Sequence, residues 1–526
     1  MKKIAIVILV FSFFSCTKFL EENPASELAT TNFFDSADDA YSVVNILYHK
    51  GVPSFYQLTV NLSALQMYGG YRSGLFDNEY KNQFMSRLQM GTVDAGLDNA
   101  ELLALWQSCY EAIVRNANFA ITHIPTCPGL TDTEKNQLIA QAKFFRGLNY
   151  FYLVKMFGAV PLITESYQSL DNIYVKRSSE ALVYAQIVQD LNDALANGEL
   201  ADIPMPQNGF RISNGSVQAL LADVYLNMAG YPLQDTEKYR LAAEVAKNLL
   251  ANANYALISG TDQSTNSAFN ILKKSDNEKE YLYSVEYDGT ILDPGAYPMF
   301  CFPQEAATWG EFPKYNISNL GYNPVAKLHA IYDKNDDIRY QEGQYFHTKY
   351  TQKNGAMAGT SRTFATPIPF FWWEEEAALS TGVSKKDKVH YRLAEIYLIG
   401  AEASAIANGS VTDEAATYLA TIMHRASLTQ SAESIKNRLL SLSIDQFVQE
   451  VWKEKMRELL FENKIWNDIT RTRRYPNFNT NGQVTFTDLI GSTNSFGGTY
   501  TEENLYLPIC SQEIQRNPML LEDPIQ

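Results

Sequence analysis

The sequence predicts a mainly α protein: tetratricopeptide-like helix pairs stacked as a superhelix, carrying a loop-rich, less regular lobe that contains short strands. Three observations predict it. Apolar residues recur at helical spacing through much of residues 33–260 and again over 388–470. Small residues sit inside those stripes, where a second helix backbone can come close. Over 261–387 and 471–526 the helical period is lost, and Gly, Pro, Asn and Asp punctuate short aromatic runs.

The chain opens with Lys2 and Lys3, then runs apolar from Ile4 to Phe14 apart from Ser12, and reaches Ser15-Cys16 before a polar stretch ending at Pro24. As a helix those eleven residues would span about 16 Å, roughly half the hydrocarbon thickness, so residues 1–15 read as an export signal rather than a membrane span. Cys16 at the cut offers a thiol that can carry a diacylglycerol, and residues 16–32 would then be a lipid-anchored tether. An ordinary secretion signal with an incidental cysteine is the alternative.

Further along, Phe144, Leu148, Phe151 and Tyr152 form a stripe stopped by Gly158 and Pro161. Val217, Leu220, Leu221, Val224, Tyr225 and Met228 form the next, with Ser213 placed to cap its start and Gly230 with Pro232 to end it. Ala242, Ala243, Val245, Ala246, Leu249 and Leu250 follow after a short connection. Leu393, Ile396, Tyr397, Gly400, Ala401, Ser404 and Ala405 repeat the spacing with small residues. Such pairs suggest tetratricopeptide-like stacking, although no strict period of roughly 34 residues is visible and an irregular helical domain also fits. In the lobe, Tyr281–Tyr287 alternates well enough for a short strand. Thr363–Trp373 holds too many prolines for a central one.

Composition narrows the function classes. The formal charge is −16, and loss of Lys2 and Lys3 takes it to −18, which argues against nucleic acid or an anionic membrane surface as partner. Apart from Cys16, the cysteines Cys109, Cys127, Cys301 and Cys510 are too scattered for a disulfide framework and form no C-x-x-C pattern, so buried free thiols are expected. The aromatic load of 32 Tyr, 28 Phe and 6 Trp exceeds ordinary core needs, as it would in a protein that grips flat, uncharged ligands.

Six segments then resemble the SusD/RagB family of outer-membrane nutrient-uptake lipoproteins. They are Cys16–Pro24 with Asn32-Phe-Phe34, the block Gln141–Leu162, Gly209–Ser213 with Ala219–Leu226, and Tyr391–Glu395 with Ala401-Glu-Ala403. The last two are Glu454–Arg471 and Leu507–Pro518. Asn463 and Ile465 depart from it, standing where the late helix commonly carries Gly and Arg. The resemblance implies about four helix pairs, a non-catalytic role, and a position as lid on a TonB-dependent outer-membrane transporter (SusC-like). Its helical face would dock there, while its loop-rich face captures glycan or, less often, peptide.

No enzyme motif competes: H-E-x-x-H, G-x-S-x-G and a P-loop are absent, the six His are dispersed, and no cofactor or metal is expected. Glu374–Glu376 is adjacent acid on one segment, whereas glycoside cleavage needs two opposed carboxylates; it reads as a solvated acidic face. Sugar binding needs aromatic planes beside hydroxyl-pairing groups. The candidate glycan residues are Tyr71, Arg72, Phe76 and Asp77 in one Gly-loosened loop, and Tyr297, Trp309 and Phe312 in a second. Trp372 joins them, because Trp372 and Trp373 cannot both face inward if extended. Trp106, Trp452 and Trp466 are expected in the core, and Arg146 and Arg457 as salt-bridging scaffold. The leading reading is a surface glycan-capture lipoprotein facing the cell exterior, for which Glu21 and Glu22 are a short acidic export signal. The alternatives are a peptide-binding uptake lipoprotein, or a structural lid with little affinity for soluble ligand.

Overall fold

The computed structural model describes residues 34–51, 68–77, 83–92, 97–98, 100–167, 173–260, 262–288, 321–351, 358–381, 383–479 and 483–526. Helices dominate. After two short helices, Tyr68–Arg72 and Gln83–Met90, that follow α1 (Ala37–Lys50) come α2 (Ala100–Tyr110) and α3 (Asp132–Phe157); α2 runs on through a π-helical stretch, Glu111–Ala117, into Asn118–His123. Helix α3 starts at Thr131, whose side chain accepts from Glu134 N–H while Glu134 accepts from the Thr131 N–H at 2.8 Å, a reciprocal cap. It stops at Gly158, whose φ of 71° is costly for other residues. Next come α4 (Glu180–Asn197), α5 (Asn214–Ala229) and α6 (Glu237–Leu250), the last two on the stripes read from the sequence. After the lobe follow α7 (Leu393–Asn408), α8 (Asp413–Ala426), α9 (Ala432–Leu440), α10 (Ile444–Glu458) and α11 (Ile465–Thr472).

Helices α3 to α9 pack in chain order, each on its neighbour, and α6 packs on α7 although the lobe separates them in sequence. Gly400 makes that junction possible. A Cβ there would lie 3.2 Å from the Tyr418 ring of α8 and 3.3 Å from Ala246 of α6. Ser431, Thr412 and Ser443 cap α9, α8 and α10, satisfying N–H groups that the helices cannot pair internally.

The lobe leaves and re-enters through a buried antiparallel ribbon, β1 (Tyr281–Val285) on β4 (Lys388–Arg392), with Tyr281 opposite Arg392 and Val285 opposite Lys388. Between them β2 (Phe346–Thr351) pairs with β3 (Ser361–Pro369). The prolines of β3 fit because the ribbon has only two strands: the register is interrupted between His347 and Lys349, opposite the stretch that holds Pro367. A last ribbon joins β5 (Arg474–Phe478) to β6 (Val484–Asp488).

Buried ion pairs lock the lobe to the helices. Arg392, at the end of β4, donates to Glu280 (3.0 Å), Glu458 (2.7 Å) and Glu462 (2.7 Å). Arg425 of α8 reaches Glu280 at 2.7 Å and Glu458 at 2.5 Å. From the lobe, Arg339 reaches Asp337 (2.7 Å), Glu454 (2.8 Å) and the second oxygen of Glu458 (2.8 Å). Burial alone would push the Glu458 carboxyl up, but Arg425, Arg392 and Arg339 hold it down at about 2. A second cluster joins Glu402 of α7 to Arg471 of α11 by two 2.7 Å bonds, with the Trp452 indole N–H donating to Glu402 at 3.0 Å. Arg146 grips Asp190 with bonds of 2.8 and 2.6 Å, and Arg457 pairs with Glu454 at 2.7 Å, so both are scaffold as expected. Cys109, Cys127 and Cys510 are free, buried thiols.

Candidate functional site

Beneath the lobe lies an aromatic foundation centred on Phe461, at the turn after α10. Its ring meets Phe76 (6.4 Å between centroids), Tyr345 (5.9 Å), Phe346 (5.6 Å) and Phe371 (5.6 Å). Phe76 stacks on Tyr322 at 4.0 Å, Tyr71 meets Tyr322 edge-on at 5.6 Å, and Phe371 meets Trp372 at 4.7 Å. Three of the residues read as exposed platforms are thus brought together, but inside. Tyr71 and Phe76 are 0% exposed and Trp372 is 8% exposed, with the Lys388 ammonium over its ring.

The burial has a local cause. Gly70 has no side chain, and a Cβ there would fall 2.2 Å from the Tyr322 hydroxyl, so the glycine opens space for a ring rather than loosening a loop. Tyr71 donates to the Gly321 carbonyl. Arg72 is fully buried as well: it donates to the Asn504 carbonyl and lies over the Trp466 ring at 5.1 Å. As ligand platforms Tyr71, Arg72, Phe76 and Trp372 are corrected to packing residues, because none offers a free face. Asp77 is half-buried beside Gln89, on a two-residue strand paired with Asn323–Pro324. Cys16, Tyr297, Trp309 and Phe312 lie outside the described residues.

Above this foundation the ribbon β2–β3 carries a separate aromatic cluster. Phe370 stacks on Trp373 (5.4 Å, 18° between planes) and on His347 (4.5 Å, 29°). Tyr350 meets Phe364 edge-on at 5.8 Å and Trp373 at 6.0 Å. Phe364, Phe370 and Trp373 are half-buried, so parts of their surface face solvent. Cations border the rings: Lys273 sits 4.3 Å from the Phe370 centroid and Arg362 4.8 Å from that of Phe364. Burial brings the Lys273 ammonium down to about 7, and its protons go to the carbonyls of Gly343 and Gln344. Trp372 is buried and Trp373 is half-buried, so the tryptophan with surface to offer is not the one the sequence reading chose. The sequence reading did not single out Phe364 or Phe370; the period-2 pattern of β3 was the signal, obscured by its prolines.

A concavity of about 450 Å3 lies between α2, residues 161–167 and 173–175 and the C-terminal segment, lined by Trp106, Tyr110, Tyr167, Tyr174, Glu513 and Arg516. Tyr167 and Tyr174 are 44% and 53% exposed, whereas Trp106 is core as expected. Gln107 and Arg516 both donate to Glu513, at 2.8 and 2.6 Å. Elsewhere, Glu374 accepts from Ser384 at 2.6 Å while Glu375 and Glu376 are exposed, in keeping with an acidic surface run.

Comparison with known proteins places this architecture. A family profile described as "SusD family" matches residues 328–525, and one described as "Starch-binding associating with outer membrane" matches residues 18–226. SusD-like protein P2 of Formosa agariphila is 26% identical over 490 residues, covering 90% of each chain. The crystal structure of a SusD superfamily protein from Parabacteroides distasonis superposes with a TM-score of 0.77 at 26% identity, covering 94% of this chain and 99% of that one. Surface glycan-binding protein A from Bacteroides thetaiotaomicron, solved in complex with laminarihexaose, shares the fold at a TM-score of 0.67 and 16% identity, covering 91% of this chain and 98% of that one. With two profiles and full-length relatives in agreement, the chain belongs to the SusD-like family.

Proposed function

We propose that the protein is a non-catalytic glycan receptor, lipid-anchored through Cys16 at the outer membrane and facing the cell exterior. It would capture oligo- or polysaccharide on the loop-rich lobe and deliver it to a TonB-dependent, SusC-like transporter. Membership of the SusD-like family carries the reading, because that family's profile over residues 18–226 is described by starch binding at the outer membrane. Structural neighbours bound to laminarihexaose and to a xylogluco-oligosaccharide support it.

The chemistry is capture by many weak contacts. Half-buried rings at Phe364 and Trp373 suit the apolar faces of pyranose rings, and the bordering Arg362 suits their hydroxyls. Trp309, Tyr297 and Phe312 are proposed as further glycan contacts on the strength of their sequence context. Several such contacts along one chain multiply into useful retention at a channel mouth. Affinity electrophoresis of the purified protein through gels containing single polysaccharides tests the proposal: retardation by one glycan class supports it. Free migration through every gel, with binding to peptides instead, overturns it.

A further inference from the structure

Between the C-terminal half of α3 and α11 the fold encloses a pocket of about 70 Å3, separate from the aromatic lobe surface and independent of the glycan reading. Tyr68, Lys155, Asn463 and Trp466 line it, and no Asp or Glu does. That lining is unusual for a chain with a net charge of −16.

Two buried donors in its wall make no well-formed hydrogen bond, although the Trp466 indole and the Arg72 guanidinium lie close to the Tyr68 oxygen. Tyr68 is 6% exposed and Trp466 is 3% exposed, and neither the Tyr68 hydroxyl nor the Trp466 indole N–H has a hydrogen-bond partner among the described residues. Buried polar groups are otherwise almost always paired, so two orphans beside one cavity mark an incomplete site. The other groups at the pocket also donate. The Asn463 side-chain oxygen is committed to the amides of Gly69 (2.6 Å) and Gly70 (3.2 Å), which leaves its NH2 for something else. The Lys155 ammonium rests 3.8 Å from the Phe151 ring centroid and makes no ion pair among the described residues. Burial brings it down to about 8 despite the attraction of Asp223. Arg72 lies over the Trp466 ring and adds positive potential. The adjoining cleft, which shares Lys155, contains Glu180, but that carboxylate does not reach this pocket's wall.

An orphan phenol, an orphan indole, a spare amide and an unpaired ammonium have one common complement, a compact group that accepts several hydrogen bonds and carries negative charge. We propose that this pocket binds a small oxyanion, held by the Tyr68 hydroxyl, the Trp466 indole N–H and the Lys155 ammonium. The oxyanion is either free in solution or a carboxylate or sulfate substituent carried on a sugar. Water would satisfy the two neutral donors but would give the ammonium no negative charge within the pocket itself, since Asp223 attracts it from outside the wall.

Thermal melts and tryptophan-fluorescence titrations of the full chain test this, using acetate, inorganic phosphate, sulfate and glucuronate against chloride at fixed ionic strength in the millimolar range. The expected result is a saturable response to at least one oxyanion and none to chloride. Affinity should fall at least tenfold in Lys155→Met and severalfold in Tyr68→Phe. A response to an inorganic anion alone identifies a free-anion site; a tighter response to glucuronate identifies a substituent carried on sugar. Equal responses to chloride and every oxyanion, or an unchanged affinity in Lys155→Met, overturn the assignment. Should Lys155→Met fail to fold, the wild-type titration decides alone, because the absence of any saturable oxyanion response is sufficient to reject it.

Discussion

Replacing Arg392 by Met keeps the length of the side chain and removes the charge at the centre of the ion network. Glu458 would retain Arg425 and Arg339, and Glu280 would retain Arg425. Glu462 is left worst, because among the described residues both of its side-chain oxygens are bonded only by Arg392, at 3.1 Å from Nε and 2.7 Å from Nη2, and it is 6% exposed. Removing one partner of a buried pair costs about 3–5 kcal/mol. At roughly 2.1 cal/mol/K of unfolding entropy per residue, a cooperative unit of about 500 residues loses about 3–5 °C of Tm. The assay is differential scanning calorimetry of wild type, Arg392→Met, Glu462→Gln and the double variant at pH 7. Adding Glu462→Gln to Arg392→Met should recover a degree or more, because it neutralises the orphaned carboxylate. An Arg392→Met protein melting within a degree of wild type, or a deficit that Glu462→Gln does not touch, would refute the reasoning.

Three further outcomes follow from the same structure. Gly400→Leu forces a side chain between Tyr418 and Ala246 and should cost about 1–3 kcal/mol or more in chemical denaturation, with far-UV circular dichroism unchanged. Burial and a hydrogen bond shared with Asp387 raise the Glu286 carboxyl to about 9, and burial also raises Asp387. A raised folded-state value means stability is fully present below the ordinary carboxylate range and is lost as pH climbs towards 9, so Glu286→Gln should flatten the decline in Tm between about pH 5 and 9. Cys16→Ala should move the protein from the membrane fraction to the soluble fraction, since multiple acyl chains are what would hold it there; recovery in the membrane would contradict the anchor.

The helical scaffold was legible because its signals are local. The apolar stripe of α5, its start at Ser213 and its stop at Gly230 are all written within about one helix length. The charged run Glu454–Arg471 was legible as a family signature, but its work was not. Arg339 and Glu458 are 119 positions apart, and Arg392 and Glu458 are 66 apart, so nothing local says that these charges meet in the interior. Tyr71 and Phe76 were misread for a related reason: glycine beside an aromatic residue looks like a loosened surface loop, whereas Gly70 admits Tyr322 from some 250 residues away. The departure at Asn463 has a backbone cause. Its φ is 63°, which glycine adopts most easily and asparagine tolerates, and its side chain then takes the Gly69 and Gly70 amides. For the Trp372–Trp373 pair the sequence said only that both could not face inward, and it chose the wrong one, because the turn that follows β3 sets which ring is buried.

The measurement that tests the central claim most directly is a calorimetric titration of a glycan retained in affinity gels. It would be run into wild type, Trp309→Ala and Trp373→Ala side by side. The account predicts saturable binding to wild type and a loss of about tenfold, near 1.4 kcal/mol, in at least one variant, with melting temperatures preserved. Wild-type affinity in both variants would contradict the placement of the glycan on the loop-rich lobe, and no heat from any glycan would contradict the function itself.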